Sequence, residues 1–237
     1  MKNGAIKSST KKLTNPIMMK ERWEWLHGQR RFLPRYPSEE VVRYVFTYLA
    51  ATSPDRNRLT VLDLGCGGGR HTVFLAREGF TTYAMDYSFT GLQQTARRLQ
   101  DEMLNGVLVQ ADMHALPFSG ESFDSIIAYG TVYYTDWNGM HKSVKEIHRV
   151  LRKGKTAFVF TRTTNDSRFG KGIPINTNTF AFDADDTNEM GMKNCFLTED
   201  DVHDVFQEFQ DVTLDRLEVT LNNKRIRNSD WMIVATK

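Results

Sequence analysis

Apolar residues follow two alternating rhythms along the middle of this chain. Short apolar runs of strand length sit over residues 59–64, 81–85, 107–110, 123–129 and 155–161. Between them, apolar side chains recur every three to four positions over 72–77, about 89–103 and 138–151, the last helix closing at the Lys153-Gly154 turn. Strand and helix alternating through short connections predict a parallel sheet covered on both faces. Right-handed crossovers then leave few topologies. Before this block, a short aromatic helix is expected within 16–28, around Arg22-Trp23-Glu24-Trp25-Leu26. A second helix carries Val41, Val42, Val45, Phe46 and Leu49 at helical spacing, with Ser38 at its N-cap.

After the block, residues 163–196 break into Gly, Pro, Asn and Asp, a stretch too long for an ordinary connection and expected to act as a lid or binding segment. Thr198-Glu199-Asp200-Asp201 opens another helix, with Thr198 as cap and acids in the first turn. Residues 211–221 and 231–236 read as two strands around the turn Asn222-Asn223-Lys224, an antiparallel hairpin.

Composition narrows the class. With 237 residues, 40% of them hydrophobic and 25% charged, the chain has the profile of an ordinary globular protein. No apolar run approaches the roughly 18 residues of a membrane-spanning helix, and the Lys- and Ser-rich start lacks the apolar centre of a secretory signal. Cys66 and Cys195 are the only cysteines and have no metal-ligand or redox spacing, so a cytoplasmic protein without metal or disulfide is expected. Charge is uneven. Through Tyr36, nine basic residues face Glu21 and Glu24, giving +7 against −5 for the remainder. Residues 1–15 are therefore expected to form a basic arm of little order, without the interleaved aromatics of a nucleic-acid surface. Residues 16–237 are expected to form one domain, with a cap at 16–56, a core at 57–162, a lid at 163–197 and a C-terminal helix and hairpin at 198–237.

The chemistry concentrates in Val61-Leu62-Asp63-Leu64-Gly65-Cys66-Gly67-Gly68-Gly69-Arg70. A glycine loop at the carboxyl end of a strand lets a ligand approach the backbone and meet the next helix's amides. Counting from Gly65, a dinucleotide fingerprint needs Gly or Ala where Arg70 stands, and no Gly-Lys-Ser/Thr follows for a triphosphate loop. What remains is Asp-x-Gly-x-Gly-x-Gly. Further landmarks follow in order: Asp86-Tyr87 closing the second strand, Asp112-Met113 after the third, Phe123-Asp124 opening the fourth, and Glu146 to Gly154 leading to the fifth.

Over roughly residues 59–161 this pattern resembles the class I S-adenosylmethionine-dependent methyltransferases. The resemblance implies a Rossmann-like, doubly wound α/β fold with a seven-stranded, mostly parallel sheet, an antiparallel C-terminal hairpin and an N-terminal helical cap. It implies S-adenosylmethionine as cofactor, with S-adenosylhomocysteine as product. By analogy Asp86 takes the ribose hydroxyls with Tyr87 beside it, and Asp112 the adenine amino group with the Met113 amide on a ring nitrogen. Asp63 lies near the methionine ammonium, and Gly65, Gly67 and Gly69 line the methionyl and ribose portion.

Acceptor chemistry is harder to read, because an activated methyl group needs positioning more than a dedicated base. The stretch Tyr129-Gly130-Thr131-Val132-Tyr133-Tyr134 stands where many relatives carry Asn or Asp and a His pair. Tyr129, Tyr133 and Tyr134 are therefore the candidates for acceptor positioning, with packing as the alternative. The Asn/Asp-Pro-Pro-Tyr/Phe motif of many amino-methylating enzymes is absent. Trp23, Trp25 and Tyr36 are candidates for a lid or for covering the sheet, Arg35 for a carboxylate contact or plain exposure, and His71 for the site. His114, His141 and His148 show no ligand pattern, Cys66 reads as a filler, and Asp183, Asp185, Asp186 and Glu189 as a solvated loop. The head Phe32-Leu33-Pro34-Arg35-Tyr36-Pro37-Ser38-Glu39-Glu40-Val41 and the Gly67-Gly68-Gly69-Arg70-His71 junction look similar to small-molecule methyltransferases of bacterial surface-sugar and natural-product pathways. The expected reaction is methyl transfer to N or O of a small molecule by a monomer or homodimer, without membrane or nucleic-acid partners. Alternatives are an RNA or protein methyltransferase using the basic arm, and a non-catalytic partner subunit with this fold.

Overall fold

Alternating side chains on one strand explain how two cores form at once. In strand β1 (Thr60–Leu64), Leu62 and Leu64 point to one face and Val61 to the other, and all three are fully buried. The computed structural model describes residues 16–51, 55–183 and 188–237, with side chains from residue 19. The basic arm at 1–15, Asp185 and Asp186 lie outside the described residues.

Helix α1 (Pro16–His27) is followed by a single 3₁₀ turn at Arg30–Phe32. Helix α2 (Glu39–Tyr44) runs on as a π-helical stretch, Val45–Ala50. The alternating block then gives β1, α3 (Arg70–Arg77), β2 (Thr81–Asp86), α4 (Phe89–Asp101), β3 (Val107–Gln110), β4 (Phe123–Tyr129), α5 (Trp137–Val150) and β5 (Leu151–Arg162). After β6 (Ile173–Asn176), β7 (Thr179–Ala181) and β8 (Lys193–Cys195) come α6 (Glu199–Val205), β9 (Asp211–Leu221) and β10 (Ile226–Thr236).

Seven strands form one sheet in the order β3-β2-β1-β4-β5-β10-β9. The first five are mutually parallel, and β10 runs antiparallel to both neighbours. One face is covered by α5 and α6 through Met140, Val144, Ile147, Val202 and Val205. The other is covered by α2 and α3 through Val41, Tyr44, Phe74 and Leu75. The strand order reverses between β1 and β4, which opens a crevice at their carboxyl ends, where ligands bind in such sheets. No helix among the described residues is long and apolar enough to cross a membrane.

Several local expectations are corrected. Helix α3 begins at Arg70, two residues before the apolar rhythm starts, because Gly69 (φ +81°) turns the chain directly into it. Strand β5 starts at Leu151, since the end of α5 passes straight into pairing with Phe123. Strand β10 starts at Ile226, five residues early, because its first residues pair fully with β9. Residues 163–196 are not merely irregular: β6, β7 and β8 form a small antiparallel sheet. Strands of three and four residues are too short to display a period. Ser38 sits at the N-cap of α2 without capping it, its amide and hydroxyl turning instead to His71 Nε2, at 3.3 and 3.2 Å. Thr198 does form the expected capping box, with Asp201.

Candidate active site

The loop after β1 has a shape that side chains would prevent. Gly65 (φ +74°) lies so close to Thr131 that a Cβ there would meet its Oγ1 at 2.2 Å. Gly69 would meet Thr95 at 2.7 Å in the same way. These positions need both the left-handed backbone and the missing side chain.

Around this loop the ends of three strands converge. Asp86, at the tip of β2, is buried and accepts from the Gly67 amide through Oδ2 and from the Ser88 amide through Oδ1, both at 2.7 Å. It thereby ties the glycine loop to the start of α4. Burial pushes its carboxyl up, opposed by His27 and the two amides. Asp63, at the next-to-last position of β1, is 1% exposed and accepts from Thr72 Oγ1 at 2.6 Å. Burial pushes it up to about 6, against the Thr72 hydroxyl and the Arg70 charge.

Asp112 follows β3 and stays half exposed. Its Oδ1 accepts from the His114 amide at 2.9 Å and contacts His114 Nδ1 at 2.5 Å. The His114 ring holds this carboxyl below its usual range. His114 Nε2 is 2.9 Å from Thr135 Oγ1. Asp112, two residues before His114, meets its ring by folding back in the turn.

A single cavity of about 480 Å³ runs past Asp86, Asp112, Met113, Tyr87, Gly65 and Gly67. Its other end is walled by Trp23, His27, Arg70, His71, Tyr129, Tyr134, Asn188 and Lys193. Asp63 and Gly69 do not line it; both are buried. The three tyrosines separate. Tyr129 lines the cavity, stacks on Phe160 at 4.2 Å and has the Arg70 guanidinium over its ring at 5.1 Å. Tyr134 also lines it, and donates to Glu189 Oε1 at 3.1 Å. Tyr133 is placed in the core behind the wall, under the Arg162 guanidinium at 4.3 Å. Burial pushes all three phenols up, away from ionisation.

Helix α1 and the β6–β8 insertion close over this cavity and meet each other. Arg22 and Arg31 donate to the Asn188 carbonyl and Oδ1, at 3.1 and 2.8 Å. Glu189, read as part of a solvated acidic loop, is buried instead, because Arg162 donates to both its oxygens at 2.9 and 2.6 Å. Arg162 holds its carboxyl down in spite of burial, which acts the other way. Of the aromatic lid candidates, Trp23 reaches the cavity, whereas Trp25 and Tyr36 are exposed. Arg35 is exposed as well, and His148 lies against Phe209 and Glu208. His71 lines the cavity, and burial lowers its basicity well below the ordinary value. Cys66 is a buried thiol pushed well up by burial, the state of a filler. No group of three His, Cys, Asp or Glu able to hold a metal occurs among the described residues.

Sequence reasoning missed His27 and Glu24, which reach the site from 40 to 66 residues away. A glycine inside α4, Gly91, is the available trace of them, since a helix interior disfavours glycine without a packing reason.

Comparison with known proteins gives a family match over residues 61–154, to a methyltransferase domain. Malonyl-[acyl-carrier protein] O-methyltransferase of Enterobacter lignolyticus is 30% identical over 58% of this chain and 52% of its own length. A 2-phytyl-1,4-naphtoquinone methyltransferase of Nostoc punctiforme is 34% identical over 45% of this chain and 48% of its own. The chain thus spans about half the length of the curated relatives it matches. Among solved structures, a SAM-dependent methyltransferase from Methanosarcina mazei superimposes with a TM-score of 0.64 at 17% identity, covering 80% of this chain and 97% of that one. That likeness is one of fold.

Proposed function

Because the chain carries a class I S-adenosylmethionine-dependent methyltransferase domain, we propose that it transfers the methyl group of S-adenosylmethionine to a nitrogen or oxygen atom of a small molecule. The observation that carries this reading is the cavity: one carboxylate at the tip of β2, another after β3 and a bare glycine loop share its wall. The donor set fits the cofactor. A carboxylate offers about four acceptor positions, and Asp86 uses two on backbone amides, leaving capacity for a vicinal diol. Asp112 Oδ2 accepts no hydrogen bond among the described residues and suits an exocyclic amino group. Asp63 supplies negative charge behind the loop, where the ammonium of a methionyl tail belongs.

When bound, S-adenosylmethionine supplies a sulfonium methyl group already activated for in-line transfer. The chain's own residues then have to orient an acceptor and exclude water. Tyr134, held by Glu189, and Tyr129, clamped between Phe160 and Arg70, are the rigid polar groups at that end. His71 is kept neutral by burial and offers a ring nitrogen rather than a charge. Helix α1 and the β6–β8 insertion wall this end, and the cavity's size is that of a small-molecule site. The name of one relative, a naphtoquinone methyltransferase, also supports a modest acceptor, such as a sugar or natural-product metabolite. Methyl-labelled S-adenosylmethionine incubated with fractionated metabolite extract tests this. Label is expected in a small-molecule fraction; label only in RNA or protein would contradict the acceptor class.

Two further results are expected. Burial pushes the Asp63 carboxyl up to about 6, and a cationic ligand favours its ionised form. Cofactor affinity is therefore expected to fall as pH drops through 6, by up to about tenfold per unit, and Asp63→Asn to flatten that profile. Calorimetry between pH 5 and 8 checks it; a flat wild-type profile would remove Asp63 from the ammonium role. With the acceptor identified, Tyr134→Phe is expected to leave S-adenosylhomocysteine affinity within about twofold while lowering turnover several-fold, on the scale of one lost hydrogen bond. Tyr133→Phe is expected to change neither.

A further inference from the structure

Helix α1 lies outside the matched family segment, yet one of its side chains sits inside the glycine loop. His27 is 7% exposed and lines the cavity. Its ring is wedged between two glycines: a Cβ on Gly67 would meet Nε2 at 3.2 Å, and one on Gly91 would meet Nδ1 at 2.7 Å. A Cβ on Gly91 would also meet the Gly67 carbonyl oxygen at 2.9 Å. Gly91 occupies the third position of α4, where a Cβ would run into the ring. The imidazole accounts for that choice. Nδ1 is buried and has no hydrogen-bond partner among the described residues. With Nδ1 packed against Gly91, Nε2, beside the cavity-lining Gly67, is the ring nitrogen left for a ligand.

A second contact fixes the helix that carries this ring. Glu24 accepts from Ser88 Oγ at 2.9 Å and from the Phe89 and Thr90 amides at 2.8 Å. It thus satisfies the free amides at the start of α4, immediately after Asp86 and Ser88. Docking α1 through Glu24 brings His27 beside Asp86 and Gly67, where the reading above places the ribose. Arg22 and Arg31, on and just after α1, hold Asn188 of the insertion.

We propose that His27 is a ligand-contacting residue of the nucleoside cradle, supplied by the N-terminal helix, so that filling the cradle and docking helix α1 reinforce each other. The ligand class is a ribonucleoside, with its sugar hydroxyls within reach of the imidazole. By linkage, a ligand that needs docked α1 also stabilises it, and loosening α1 weakens the ligand to the same degree.

The inference rests on the nucleoside reading of the cavity, and one set of measurements separates the two. S-adenosylhomocysteine is titrated calorimetrically into the full chain, and backbone hydrogen exchange of residues 19–27 is followed with and without it. Wild type is expected to bind, with exchange in α1 slowed on binding. His27→Leu is expected to weaken binding about five- to tenfold, the loss of one hydrogen bond, while His27→Gln, which keeps an N–H near the Nε2 position, stays within about threefold. Glu24→Ala does not touch the cavity, and is expected to speed exchange in α1 and weaken binding by a similar several-fold factor. Wild-type binding with unchanged affinity in His27→Leu and Glu24→Ala, and no ligand effect on α1, would overturn this proposal alone. No binding by folded wild type would overturn the nucleoside reading and this proposal together.

Discussion

Replacing Asp86 with Ala is expected to weaken S-adenosylhomocysteine binding by about a hundredfold or more, because two charge-assisted hydrogen bonds of about 1.5–3 kcal/mol each are lost. The side chain does two jobs. It would grip the ribose, and it also joins the Gly67 and Ser88 amides at 2.7 Å, so that the loop's shape depends on it. Asp86→Ala should therefore also lower the melting temperature, since two amides lose their acceptor at a buried position. Asp86→Asn retains one acceptor oxygen and is expected to fall between wild type and Ala in both measurements. Calorimetry and thermal denaturation on the three proteins check this. Unchanged affinity in Asp86→Ala would detach the tip of β2 from the cofactor.

Glu189→Leu is expected to be the most destabilising of the changes considered. The Arg162 guanidinium is 3% exposed and bonds to both Glu189 oxygens and to Asn194 Oδ1, with the Tyr133 ring below it at 4.3 Å. Removing the carboxylate leaves a buried charge uncompensated, which costs about 3–5 kcal/mol. For a chain of this size that is a fall of roughly 6–20 °C in melting temperature. It also releases Tyr134 from its acceptor and loosens the residue next to Asn188, so acceptor binding should weaken with stability. The double variant Arg162→Met, Glu189→Leu replaces the pair with apolar groups and is expected to recover most of the stability but not the tyrosine's anchor. Thermal denaturation of both variants decides: equal losses in single and double variants would mean the charge pair is not what holds the insertion.

Legibility tracked how local the cause of each feature was. The β1 strand, the glycine loop and the alternation of strands with helices were readable because apolar runs and left-handed turns are decided within a few residues. Thr198 was readable for the same reason, its capping box with Asp201 spanning four residues. Glu189 was not: the acidic run before it reads as solvated, and Arg162, 27 positions earlier, draws it inside. Glu24 and His27 leave no mark on their own segment, because Glu24 satisfies amides at the start of α4, more than 60 residues on, and His27 packs between Gly67 and Gly91. The tyrosines after β4 illustrate a third case. Their identities were plain, but which of them faces the cavity depends on the turn at Gly130 and on Arg162 packing over Tyr133. Strands β6–β8 escaped notice because three or four residues carry no period.

The most direct measurement is a calorimetric titration of the folded wild-type chain with S-adenosylhomocysteine. Saturable binding at one site per chain, lost in Asp86→Ala, is the predicted result. A well-folded protein that takes up no heat from this compound, or whose uptake is indifferent to Asp86, would contradict the assignment of the cavity to the methyl donor.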